Sequence, residues 1–183
     1  MIRLRLVVLV ITSAALLAAC GGGSDEQGRF QEDGAPFAFS YPSELQKVFA
    51  DTGREIKGRK PDYRVSLGVD ETNVVVVATY PLEQDVADYD QTDLEVAVQR
   101  AARTLAKAMG AERPERSEGE LGDLPAIVYD FDSSNGLMAT RLVYAFQGKT
   151  QYFVRCQWEP AYAEVIEAAC DETMASFEPV VAG

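Results

Sequence analysis

Residues 137–158 constrain the fold most. Two strand-length runs, 137–147 and 150–158, flank the dipeptide Gly148-Lys149. A two-residue connection with glycine first predicts a tight hairpin turn of the II′ type. Pairing across that turn puts Val143, Ala145, Tyr152, Val154 and Cys156 on one face. Leu142, Tyr144, Phe146 and Phe153 fall on the other. A strand pair that is apolar on both faces cannot leave either one in water. A sheet covered by a helix on each side accounts for this as core better than an open ligand groove does. Trp158, at the strand end, reads as core on the same grounds. Val74-Val75-Val76-Val77 is an unbroken β-branched run, which predicts a central strand buried on both faces.

Two segments carry the period of covering helices. Thr92-Asp93-Leu94-Glu95 has the capping-box pattern. Leu94, Ala97, Val98, Ala101, Leu105, Ala108 and Met109 then follow at helical spacing, and Gly110 is the expected stop. Pro160 predicts the first turn of a second helix, with Tyr162, Ile166, Ala169, Cys170, Thr173 and Phe177 as its apolar stripe. Further strands are expected at 37–41 (closed by Pro42), 47–51, 63–69, 73–80, 115–120 and 126–131. Residues 52–62 read as a loop, 121–125 and 132–136 as turns. The order is strands, a helix, a meander of strands, then a C-terminal helix. That predicts an α+β domain with a mostly antiparallel sheet packed with an amphipathic central helix and a C-terminal helix.

The chain opens MIRLRLVVLVITSAALLAAC. Arg3 and Arg5 make a basic start, and the apolar stretch behind them is shorter than the roughly 20 residues of a spanning helix. Leu17-Ala18-Ala19-Cys20 resembles the lipobox of bacterial lipoproteins. There, small residues admit the chain to the signal peptidase and the thiol takes the lipid. Residues 1–19 are therefore expected to be a signal peptide and Cys20 the lipid-bearing first residue. Residues 20–28, with Gly21-Gly22-Gly23-Ser24, read as a flexible tether. A single domain over 29–179 and a short tail, 180–183, complete the expected layout.

The protein has 183 residues, with 17 Lys+Arg against 29 Asp+Glu, a net charge of −12. Removing Arg3 and Arg5 makes the remainder more acidic still. Such a surface repels nucleic acid and anionic lipid, so nucleic acid is not an expected partner. Membrane attachment is left to the lipid on Cys20.

The chain contains no histidine. The commonest general base, the usual Ser-His and Cys-His nucleophiles and imidazole metal sites are all absent. Asp130 to Gly136 fails as a calcium loop: the sixth position is Asn135 rather than Gly, and the twelfth is Arg141 rather than Glu. It reads as a polar turn. Asp85, Asp88, Asp90 and Asp93 cluster before the first helix and read as a solvated loop. No catalytic residue, metal or cofactor is expected. Cys156 and Cys170 form no CxxC motif, and outside the cytoplasm such a pair points to a disulfide, with two buried free thiols as the alternative. Cys156 lies on a strand face and Cys170 on the stripe of the helix that follows, so folding back brings them together.

Several of these features occur together in one known family. They are a lipobox, Phe37-x-Phe39-x-Tyr41-Pro42, an amphipathic helix, the turn Leu121-Gly122-Asp123-Leu124-Pro125-Ala126, a long hairpin, and a C-terminal helix ending Ser176-Phe177. In this order the chain resembles the PsbP-like fold. That fold is shared by photosystem extrinsic proteins, the Ran-binding Mog proteins and small lipoproteins of high-GC Gram-positive bacteria. The resemblance implies binding and docking rather than a shared catalytic site. The expected function is a non-catalytic binding or interaction module of the cell envelope, held outside the membrane by its lipid. Its partner would be an envelope protein or a small ligand. A carrier of a small apolar ligand or lipid, or an enzyme using carboxylates, are the alternatives.

Overall fold

A computed structural model describes residues 27–49, 60–111 and 113–180. The expected signal peptide, Cys20 and most of the tether lie outside the described residues. So do residues 50–59, with the end of the expected strand 47–51 and most of the expected loop, and tail residues 181–183.

Along the chain come β1 (Gln27–Phe30), β2 (Phe37–Pro42), β3 (Gln46–Lys47), β4 (Tyr63–Gly68), β5 (Val74–Pro81) and helix α1 (Gln91–Ala108). Then follow β6 (Glu115–Leu121), β7 (Leu124–Asp132), β8 (Ala139–Gln147), β9 (Thr150–Trp158), helix α2 (Ala163–Ala175) and β10 (Glu178–Pro179). A single 3₁₀ turn, Val86–Asp88, precedes α1, and another, Pro160–Tyr162, leads into α2. The fold is α+β. Seven strands form one sheet in the order β3-β4-β5-β9-β8-β7-β6, and every neighbouring pair is antiparallel. β1, β2 and β10 form a separate small sheet, also antiparallel. β1 already includes Gln27 and Gly28.

The expected register is the observed one. Gln147 pairs with Thr150 across Gly148, whose φ is +55°. β5 is an interior strand, between β4 and β9, with Val74, Val75, Val76 and Val77 all fully buried. Each is worth roughly 1.5–3 kcal/mol of apolar burial. Val75 and Val77 join Val143, Ala145, Tyr152, Val154 and Cys156 on one face. That face is covered by Ile166, Ala169 and Cys170 of α2 and by Phe30, Phe37 and Phe39 of the small sheet. The opposite face carries Leu142, Tyr144 and Phe153 under Val98, Ala102 and Ala106 of α1.

Two details of α1 differ from expectation. Its N-cap is Asp90, not Thr92. The Asp90 carboxylate accepts from the backbone N–H groups of Thr92 at 2.9 Å and Asp93 at 3.2 Å. A charged oxygen in extended backbone outcompetes the Thr92 hydroxyl as the cap. Tyr89 and Leu94 then occupy the two positions of a hydrophobic staple. The buried stripe is also rotated: Val98, Ala102 and Ala106 are the buried residues, while Ala97 and Ala108 are exposed. The backbone of α2 runs close to β2, β5, β6 and β9, whereas α1 approaches no strand so extensively. The helix stands off the sheet, and a cleft opens beneath it.

A cleft between the first helix and the sheet

The cleft has a volume of about 480 Å³, within the usual range for small-molecule sites. Its floor is made by the end of β5 and the hairpin. Tyr80, Gln151 and Phe146 stand in one row across β5, β9 and β8, and Tyr144 stands behind Phe146. The roof is α1 from Asp93 to Thr104, presenting Leu94, Ala97 and Ala101. These are residues that sequence periodicity assigned to the core-facing stripe. Small side chains on the roof and aromatic ones on the floor leave space that a leucine-faced helix would fill.

The ends of the roof are tied down. The backbone N–H of Ser134 donates to the Gly110 carbonyl at 3.2 Å, pinning the C-terminal end of α1 to the turn after β7. At the other end, Leu82 N–H donates to the Lys149 carbonyl and Val86 N–H to the Gly148 carbonyl, both at 2.8 Å. These bonds dock the segment before α1 on the hairpin tip. Leu82 and Tyr89 of that segment close one end of the cleft.

Tyr144 is the unusual member. It is 1% exposed, and its hydroxyl has no hydrogen-bond partner among the described residues. Its ring packs at 5.1 Å from Phe153 and edge-on to Tyr129 at 6.2 Å. Burial, and then the neighbouring Tyr129 and Tyr80, push the phenol's pKa far above the ordinary tyrosine value. It is therefore a neutral donor at any physiological pH. A buried, unpartnered hydroxyl destabilises the native state by roughly 1–3 kcal/mol.

The acidic clusters have structural work. Asp85 caps the 3₁₀ turn, accepting from Ala87 N–H at 3.0 Å. Asp130 pairs with Arg141 Nε at 2.9 Å, and Arg141 also reaches Asp171 of α2 at 2.8 Å. Ser133 and Asn135 bond within their own turn. Among the described residues no three Asp, Glu or Cys side chains converge as a metal site. Cys156 and Cys170 are disulfide-bonded, with Cα atoms 5.9 Å apart, joining β9 to α2. Trp158 is buried in the core on the α2 side.

These environments predict the pH dependence of stability. Tyr63, Tyr80, Tyr129, Tyr144 and Tyr152 all have raised pKa values, with burial the first cause. A phenol with a folded pKa above its unfolded value stabilises the native state fully below pH 10.0. That contribution is lost as pH rises through the folded values. Asp70 is held below its ordinary value, first by the backbone N–H of Asn73, so its contribution is lost as pH falls below 3.8. With no histidine in the chain, stability should be flat between about pH 5 and pH 9. Urea midpoints across that range check this, and a step between pH 6 and 7 would contradict it.

No family model and no curated protein matches the chain. Solved structures do. The solution structure of cyanobacterial PsbP (CyanoP) from Synechocystis sp. PCC 6803 matches with a TM-score of 0.57 at 12% identity, over 89% of this chain and 98% of that one. LpqN, described as involved in cell envelope biogenesis of Mycobacterium tuberculosis, matches with a TM-score of 0.50 at 11% identity, over 85% of this chain and 91% of that one. A protein of Bacteroides thetaiotaomicron matches with a TM-score of 0.50 at 13% identity, over 84% of this chain and 48% of that one. At these identities the likeness is one of fold. The chain has the PsbP-like fold expected from the order of its motifs.

Proposed function

We propose that this protein is a non-catalytic binding module of the cell envelope, anchored outside the membrane by lipid on Cys20. The observation that carries the binding reading is the α1 cleft. It is an apolar space of about 480 Å³ lined by Tyr80, Tyr144, Phe146 and Leu94. Asp93, Arg100 and Gln151 are the charged and amide groups of its lining. The lining has the makings of a binding site and lacks a base–nucleophile pair. The likeness to LpqN is in keeping with an envelope role. Retention of a small apolar ligand is favoured over docking of an envelope protein, because the surface between helix and sheet is concave rather than flat.

The anchor reading rests on Leu17-Ala18-Ala19-Cys20 and the Gly-rich segment after it. Among the described residues no helix is long and apolar enough to cross a membrane. Cys20→Ser should abolish metabolic lipid labelling and move the protein out of the detergent phase. Unchanged partitioning and labelling would defeat the anchor reading. The non-catalytic reading is tested by assaying the purified domain against ester, phosphate, peptide and glycoside substrates. The expected result is no turnover. Activity that vanishes on changing one Asp or Glu, with folding intact, would replace binding with carboxylate catalysis.

A further inference from the structure

β6 is the long edge of the seven-stranded sheet. It runs seven residues, Glu115–Leu121, whereas β3 at the opposite edge has two. We propose that β6 is the docking edge for a second copy of this chain. Two β6 strands pair antiparallel about a two-fold axis at Glu118 and join the two sheets. The inference goes beyond the binding reading and does not depend on the cleft.

The backbone sets the register. Leu121 and Leu124 flank the two-residue turn from β6 to β7, so they are a hydrogen-bonded pair. Alternation then turns the N–H and C=O groups of Glu115, Ser117 and Gly119 toward β7. Those of Arg116, Glu118 and Glu120 point outward. Pro125, opposite Glu120, has no N–H to give, in keeping with that alternation. Among the described residues no backbone hydrogen bond outside the ladder reaches Glu115–Glu120. Arg116, Glu118 and Glu120 are all exposed. A two-fold axis at Glu118 places Glu118 opposite its own copy and Arg116 opposite Glu120 of the second chain. Every outward group then meets an outward group, for about six new backbone hydrogen bonds.

The side chains agree with that register. Charge on an edge strand usually keeps copies apart, but here its order is self-complementary. Arg116, Glu118 and Glu120 project on the α1 face, since their β7 partners Tyr129 and Ile127 belong to the core under α1. Each Arg116 would meet Glu120 of the other copy, once on either side of the axis. Arg116 now has only exposed ion contacts with Glu95 and Glu118, both at 3.7 Å, and a guanidinium has donors to spare. Glu118 meets itself on the axis. That like pair, together with a net charge of −12 per copy, keeps the association weak and reversible.

The axis supplies the test. A hydrogen-bonded antiparallel pair has Cα atoms about 5.5 Å apart, within disulfide range. Glu118→Cys in the full-length protein, oxidised mildly in its own membranes, should give a disulfide-linked dimer on a non-reducing gel. The Glu118 side chain is 85% exposed, so the fold tolerates the change. The parent chain should give no dimer, since Cys156 and Cys170 are bonded to each other. Ser117→Cys and Glu120→Cys, whose residues do not meet their own copies, should stay monomeric. Adding Arg116→Glu to Glu118→Cys turns two opposite-charge pairs into like pairs. It should slow crosslinking about tenfold. Adding Glu120→Arg as well restores both pairs with the signs reversed, and should restore the rate.

A Glu118→Cys protein that remains monomeric under oxidation would overturn the proposal. So would equal dimer yields at positions 117, 118 and 120, which mark random collision. Crosslinking indifferent to Arg116→Glu, or slowed by it and not rescued by Glu120→Arg, would overturn it too.

Discussion

Gly122→Ala should destabilise the domain by about 3 kcal/mol or more, a large share of a typical domain's stability. Gly122 sits in the two-residue turn between β6 and β7 at a φ of +57°. An alanine there pays roughly 1 kcal/mol or more for left-handed backbone. The larger effect is steric. A Cβ on Gly122 would stand 1.9 Å from the Phe177 carbonyl oxygen, a backbone atom that no rotamer change can move. The Gly122 N–H also donates to the Met174 carbonyl at 2.7 Å, so the turn is clamped onto the end of α2. Relieving the clash means lifting that end away from the sheet. Gly136→Ala is the control, since Gly136 has a φ of +66° and open space around it. Urea unfolding should show Gly136→Ala losing only the conformational part. If the two variants unfold at the same midpoint, the clash argument fails.

Removing the disulfide should have an effect of similar size. Cys156 and Cys170 are 14 residues apart in sequence. Closing a loop of about 15 residues stabilises by roughly 3 kcal/mol in the chain-entropy model. Both half-cystines are fully buried on the α2 side of the sheet, so Cys156→Ala with Cys170→Ala also removes packed sulfur. The double variant should unfold at a urea midpoint lower by about 1–3 M, given usual slopes. Reduction of the parent protein should move its midpoint in the same direction. A parent that unfolds identically with and without reductant would remove the bridge from this account. Non-reducing peptide maps settle the pairing itself.

Both effects belong to the α2 side, and this asymmetry bears on function. The α2 layer is held by a covalent bond, by Gly122 at the turn, by the Arg141 ion pairs and by a tight aromatic group around Phe30, Phe37, Phe39 and Phe177. The α1 layer is held by alanines. Val98, Ala102 and Ala106 are the buried residues of an 18-residue helix. On the proposed binding reading, a ligand between α1 and the sheet would press on the lightly packed side rather than on the stapled one.

Much of this architecture is legible in the residues. The hairpin register follows from Gly148-Lys149, and the two apolar faces of residues 142–156 require two covering layers. Val74–Val77 demand an interior position, and Cys156 and Cys170 fall on facing surfaces. The cleft is not legible, for a physical reason. Helical periodicity reports which face turns toward the sheet. It does not report how far the helix stands from it. Leu94, Ala97 and Ala101 satisfy the apolar period equally well as core or as cleft roof. The available signal is size: alanines at 97 and 101 line the cleft over Tyr80, Tyr144 and Phe146, and alanines at 102 and 106 are the helix's buried contacts beside them. The β1-β2-β10 sheet is only partly legible: residues 37–41 read as a strand, but β10, the dipeptide Glu178-Pro179, pairs with it from the far end of the chain. The Asp90 cap was masked by a second plausible cap at Thr92.

The most direct test of the binding account is native mass spectrometry of the full-length protein extracted gently from the membranes of its own cells. The account predicts a population heavier than the lipidated chain by the mass of one apolar small molecule. That adduct should be absent from the Ala101→Trp variant extracted in the same way. Parent and variant of identical adduct profile, both free of any bound molecule, would contradict it.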